Sequence, residues 1–85
     1  MKAVPIQQIV IWRLPEKTKD QPHGLKCRLY FGLADGTCLV RYDNEKGKGD
    51  HKHIRDKEEP YQFTTLRQLM EDFLADVERA KKGEL

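Results

Sequence analysis

Eighty-five residues suffice for one domain and fall short of two, and a single modest core leaves little room for a deep enclosed pocket. The chain is 38% hydrophobic and 35% charged, yet the signs nearly cancel at net +2, which permits nucleic-acid binding without requiring it. The longest apolar run, Ile9 to Trp12, is far too short to cross a bilayer, and Met1 to Pro5 opens no long apolar segment, so neither a membrane span nor a secretory leader is expected, and the cytoplasm is the expected compartment.

Ile6 to Leu14 predicts a first strand. It is rich in β-branched and aromatic residues and is bracketed by Pro5 and Pro15. Val10, Trp12 and Leu14 share one face, Ile9 and Ile11 the other, which suggests a central strand or one with a face covered by a partner. Glu16 to Gly24 reads as a polar loop. From Leu25 the chain alternates cleanly, with Leu25, Cys27, Leu29 and Phe31 pointing one way and Lys26, Arg28 and Tyr30 the other, the pattern of a half-buried antiparallel strand over 25–33. Asp35-Gly36 is a hairpin signal, and residues 37–43 return with Cys38, Val40 and Tyr42 on one face and Leu39 and Arg41 on the other. Cys27-x10-Cys38 is not a zinc-ligand spacing, so both cysteines are expected to be reduced and to pack as small hydrophobes.

Residues 43–60 contain almost nothing apolar beyond Ile54 and read as a long loop, of a length that in small domains is usually functional or disordered. A helix is expected near 65–81. Thr65-x-x-Gln68 fits a capping box, and Leu66, Leu69, Met70, Phe73, Leu74 and Val77 form one apolar stripe at helical spacing. The expected architecture is therefore α+β: one domain over residues 1–85, with a three- or four-stranded antiparallel meander and a C-terminal amphipathic helix on one face. The acidic side of that helix (Glu71, Asp72, Asp76 and Glu78) reads as a solvated surface or as a docking face for a basic partner.

Candidate chemistry concentrates between Arg41 and Arg55. In Lys46-Gly47-Lys48-Gly49 the glycines permit backbone N–H groups to converge on an anion and the lysines add charge, although the spacing is not that of a Walker loop. His51-x-His53 puts both imidazoles on one side of an extended backbone, and histidine exchanges protons near neutral pH. His51, His53 and Asp43 are the candidate acid–base groups. Arg41, Lys46, Gly47, Lys48, Gly49, Lys52 and Arg55 are the candidate phosphate-binding residues. Asp43, Asp50, His51 and His53 are an alternative metal-ligand set, and the bland alternative is a solvated polar loop. No cofactor is otherwise expected.

The run Arg41-Tyr42-Asp43-Asn44-Glu45-Lys46-Gly47-Lys48-Gly49-Asp50-His51-Lys52-His53 resembles the signature of the TumE family, small prokaryotic proteins described as the toxin half of type II toxin–antitoxin pairs. Val10-Ile11-Trp12-Arg13-Leu14-Pro15 and Glu58-Glu59-Pro60-Tyr61-Gln62-Phe63-Thr64, followed by the Asp72 to Val77 helix, are similar as well, so the resemblance covers most of the chain. It implies a toxin with a cognate antitoxin partner. Combined with the residues above, it suggests action on RNA as a metal-independent ribonuclease. The alternative is a non-catalytic module that binds phosphate, nucleic acid or protein.

Overall fold

The computed structural model describes residues 4–19, 21–44 and 49–85. Five strands and one helix follow in chain order: β1 (Pro5–Arg13), β2 (Leu25–Leu33), β3 (Cys38–Asp43), β4 (His51–Ile54), β5 (Lys57–Pro60) and α1 (Leu66–Lys81). The strands form one antiparallel sheet in the order β1-β2-β3-β4-β5, a simple meander.

The α+β architecture is as expected, but the described residues form five strands, two of them within the loop expected over 43–60. Its second half is a hairpin, with His51 opposite Pro60 and Ile54 opposite Lys57. The two-residue turn is Arg55-Asp56, and Arg55 takes φ 56, a left-handed conformation without a glycine to announce it.

The β2–β3 turn follows its sequence. Gly36 has φ 98, and Asp35 Oδ1 accepts the Thr37 amide at 2.9 Å. A register shift at Phe31/Gly32 leaves Leu39 unmatched in the β2–β3 ladder. Cys27 is buried and Cys38 half-buried, and both are free thiols. Burial holds their protons more tightly than usual, with the Cys27 pKa pushed up to about 11.

Alternation along the strands gives the sheet two unlike faces. Cys27, Leu29, Phe31, Val40 and Tyr42 point to one side, where Leu69, Phe73 and Val77 of α1 close over them to make the core. Each large side chain so buried contributes about 1.5–3 kcal/mol. Thr65 caps the helix by accepting the Gln68 amide at 3.0 Å, while the Gln68 side chain bonds Asp72 rather than the cap backbone. The acidic side of α1 is not wholly solvated. Asp76 is buried and accepts the Tyr42 hydroxyl at 2.5 Å, and Asp72 accepts Tyr61 at 2.6 Å. Burial and these carboxylates push both tyrosine hydroxyls far above their ordinary pKa.

On the other side no helix among the described residues covers the sheet, and it carries Val10, Trp12, Lys26, Arg28, Arg41, Asp43, His51 and His53. β1 is an edge strand rather than a central one, and Trp12 is 60% exposed instead of packed. Leu66 and Leu74 of the helical stripe are also exposed.

Candidate functional site

The uncovered face is most chemically dense where β3 meets β4. Antiparallel pairing sets Arg41 opposite His53 and Asp43 opposite His51, so strand register alone gathers one basic, one acidic and two imidazole-bearing positions into a square. The rings of His51 and His53 lie 5.3 Å apart between centroids at an interplanar angle of 72°. The spacing of the two histidines on one side of an extended strand is thus realised on a paired strand rather than a loop.

Each ring is held differently. His51 is 5% exposed. Its Nδ1 lies 3.0 Å from the Gly49 carbonyl, which can only accept, so that nitrogen carries a hydrogen. Its Nε2 faces Asp43 Oδ1 at 2.8 Å. Both ring nitrogens of His51 thus face oxygen atoms, one of the backbone and one of a carboxylate. Arg41 Nε reaches Asp43 Oδ2 at 3.4 Å. The contacts around Asp43 are close charge contacts rather than aligned hydrogen bonds: Arg41 Nε and Asp43 Oδ1 are buried and neither has an aligned hydrogen-bond partner.

His53 is the opposite case. Arg41 Nη2 donates to its Nε2 at 3.0 Å, and because a guanidinium has only donors, Nε2 supplies the lone pair and Nδ1 the hydrogen. Burial lowers the His53 pKa first, and the Arg41 charge lowers it further against the partial opposition of Glu58. Two neighbouring imidazoles therefore sit in unlike environments, His51 between two oxygens and His53 against a guanidinium that favours its neutral form. That is the arrangement in which acid and base roles separate.

The other expected site residues divide. Gly49, with φ 70, joins the cluster through its carbonyl. Lys52 does not: alternation along β4 sends it to the helix side, where its Nζ lies 3.5 Å from Glu59 and 3.6 Å from Asp76. Arg55 sits on the β4–β5 turn and donates from Nε to the Leu85 carbonyl at 2.9 Å. Lys46, Gly47 and Lys48 lie outside the described residues.

Asp50 is drawn away from the alternative metal set by His23, whose Nε2 is 3.0 Å from Asp50 Oδ1 while its ring stacks on Phe63. Glu58 on β5, which sequence reasoning passed over, stands 3.8 Å from His51 Nε2 and 3.9 Å from His53 Nε2. His51, His53 and Glu58 bring their ligand atoms within 4.8 Å of one another, and Arg41 already occupies Nε2, one of the two His53 nitrogens that could ligate a cation.

Asn44 fixes the exit of β3. Its Oδ1 accepts the Cys27 amide at 2.9 Å and its Nδ2 donates to the Leu25 carbonyl at 2.7 Å. The Gln21 side chain, buried in turn, donates to the Asn44 carbonyl at 2.8 Å. Asn44 thus continues the β2–β3 ladder with side-chain atoms where strand pairing stops, which holds Asp43 against His51. A cleft of about 160 Å³ lined by Arg28, Arg41, Asp43 and Asn44 opens beside this point.

Among the described residues no helix is long and apolar enough to cross a membrane. A family model described as Toxin TumE matches residues 2–81. No curated protein matches the chain, nor does any solved structure.

Proposed function

The chain belongs to the TumE toxin family, and from that premise we propose that it is the toxin of a type II toxin–antitoxin pair and acts by cleaving RNA at the Arg41–Asp43–His51–His53 cluster. The observation that supports this reading is the pairing of a neutral His53 with a His51 held between two acceptors, 5.3 Å apart and beside an arginine.

A phosphodiester entering the cluster draws Arg41 toward its non-bridging oxygens. That frees His53 Nε2 to take the proton of the ribose 2′-hydroxyl. The 2′-oxygen attacks phosphorus, the bond from phosphorus to the 5′-oxygen breaks, and His51 Nε2 gives its proton to that leaving oxygen. The products are a 2′,3′-cyclic phosphate and a 5′-hydroxyl, with His53 now protonated and His51 neutral. Arg41 stabilises the charge that builds on the phosphate. Asp43 orients His51 and balances its cationic form. No resident cofactor enters these steps, and the partner of the toxin is a cognate antitoxin protein.

His51→Ala and His53→Ala are each expected to reduce RNA cleavage about 10²–10⁴-fold and to relieve growth inhibition. Full cleavage by both variants overturns the mechanism. The depth of His51 favours a second reading, in which the cluster grips phosphate without cutting it. RNA that is bound tightly but recovered at its original length decides for that reading.

A further inference from the structure

The same uncovered face extends from the histidines across β2 to β1, and nothing in the proposed chemistry uses that extension. Trp12, the only tryptophan of the chain, stands 60% exposed on it. Register sets Trp12 opposite Lys26 and Val10 opposite Arg28, and Arg28 is in turn opposite Asp43. Val10, Trp12, Lys26 and Arg28 enclose a cleft of about 220 Å³. Lys26 and Arg28 also border the cleft that reaches Arg41 and Asp43, so one basic ridge joins the two depressions.

An exposed indole beside two cations is the pairing that single-stranded nucleic acid uses. A base stacks on the aromatic face while its phosphates meet Lys and Arg. Strands in a sheet lie about 4.8 Å apart and residues about 3.3 Å along each strand, so Trp12 on β1 is roughly 15–20 Å from the histidines on β4, a span for a short run of nucleotides.

We propose that the cleft between Trp12 and Arg28 is a base-binding subsite for single-stranded RNA. Trp12 stacks one unpaired base, and Lys26 and Arg28 lead the backbone to the histidine cluster. A duplex cannot engage it, because its bases are already stacked on one another. The inference rests on the RNA reading of the cluster and adds to it the strandedness of the substrate and the path it takes.

The test uses a short single-stranded RNA with 2′-O-methyl riboses, which lacks the nucleophile for cleavage, together with the same sequence as duplex and as an abasic ribose-phosphate chain. The expected result is quenching of Trp12 emission by the single strand alone. Anisotropy of the labelled strand should show roughly 10-fold or greater weakening by Trp12→Ala, with most affinity kept by Trp12→Phe. Arg28→Gln should lower the slope of log affinity against log salt by about one. A single strand that binds with unchanged emission, and equally to Trp12→Ala, overturns the subsite while leaving RNA action at the histidines standing. If none of the three oligonucleotides binds at low salt, the RNA reading itself fails and the subsite falls with it.

Discussion

Asp43 and His51 are directly opposed residues of the β3–β4 ladder, and strand register by itself brings the imidazole Nε2 to 2.8 Å from the carboxylate. Both side chains are largely withdrawn from water, and each has one further ionisable neighbour, Arg41 at 3.4 Å from Asp43 and Glu58 at 3.8 Å from His51. Replacing the carboxylate by an amide removes the negative charge that faces both His51 and Arg41 while keeping the side chain's size. Asp43→Asn is expected to lower unfolding stability by about 3 kcal/mol, the scale of breaking a buried pair from one side. Urea denaturation of the variant at neutral pH measures it, and an unchanged midpoint would show the pair to be energetically idle.

His53 provides a pH dependence of definite sign. Its pKa in the folded chain lies below that of the unfolded chain, which is near the ordinary value of about 6.5. Between those two values the unfolded state holds more protons, so stability rises with pH across that window and this contribution is complete above about pH 6.5. As pH falls through the window the contribution is lost. His53→Gln, neutral throughout, should flatten that part of the curve in denaturation midpoints taken from about pH 5 to 8.

Behind the site, Tyr42→Phe removes the donor that satisfies buried Asp76. Lys52 and Arg79 remain at 3.6 Å from that carboxylate, so the loss should be moderate, about 1–2 kcal/mol by calorimetry or denaturant. Spectrophotometric titration offers a second readout. Tyr42 and Tyr61 should ionise only well above the ordinary tyrosine range or on unfolding.

Gly32 at the β2 bulge has no space for a side chain. A Cβ there would run into the Tyr30 hydroxyl and the Thr37 carbonyl, and the latter is backbone held by the turn. Gly32→Ala should cost about 1–3 kcal/mol, the usual range for overpacking. Gly36→Ala meets no atoms and carries only the strain of its positive φ.

The cysteines should differ in reactivity. Cys38, half-buried at the start of β3, should react with a disulfide reagent at about pH 8 well before Cys27, whose thiol is buried and holds its proton up to about 11. Equal rates would place Cys27 in a more open setting than the core cluster implies.

Where apolar residues alternate with polar ones, the sequence was enough to place the elements. β2, β3 and α1 advertise their buried faces through Leu29, Val40 and Phe73, and Asp35-Gly36 marks the turn between the strands. β4 and β5 carry no such contrast. Each is four residues long, and their pairing is marked by His51, Lys52 and Glu59 rather than by hydrophobic side chains. Their turn uses Arg55 in place of glycine, so the one local signal of a tight hairpin was absent as well. Trp12 misled for the converse reason: an apolar residue at strand spacing reads as core, whereas here it faces outward from an edge strand. In the site, the His51–His53 pairing was legible from the i, i+2 spacing. The contributions of Glu58, His23 and Arg28 depend on contacts between residues far apart in sequence, which no local pattern encodes.

Tyr42 and Lys52 alternate with the site residues along β3 and β4, and both meet Asp76 of the helix. A slip of one residue between these strands would turn the imidazoles toward the hydrocarbon interior and strand the helical carboxylate against an aliphatic or aromatic surface. The polar trio on the hidden side therefore works as a proofreader of assembly, penalising the misaligned hairpin before any ligand is met.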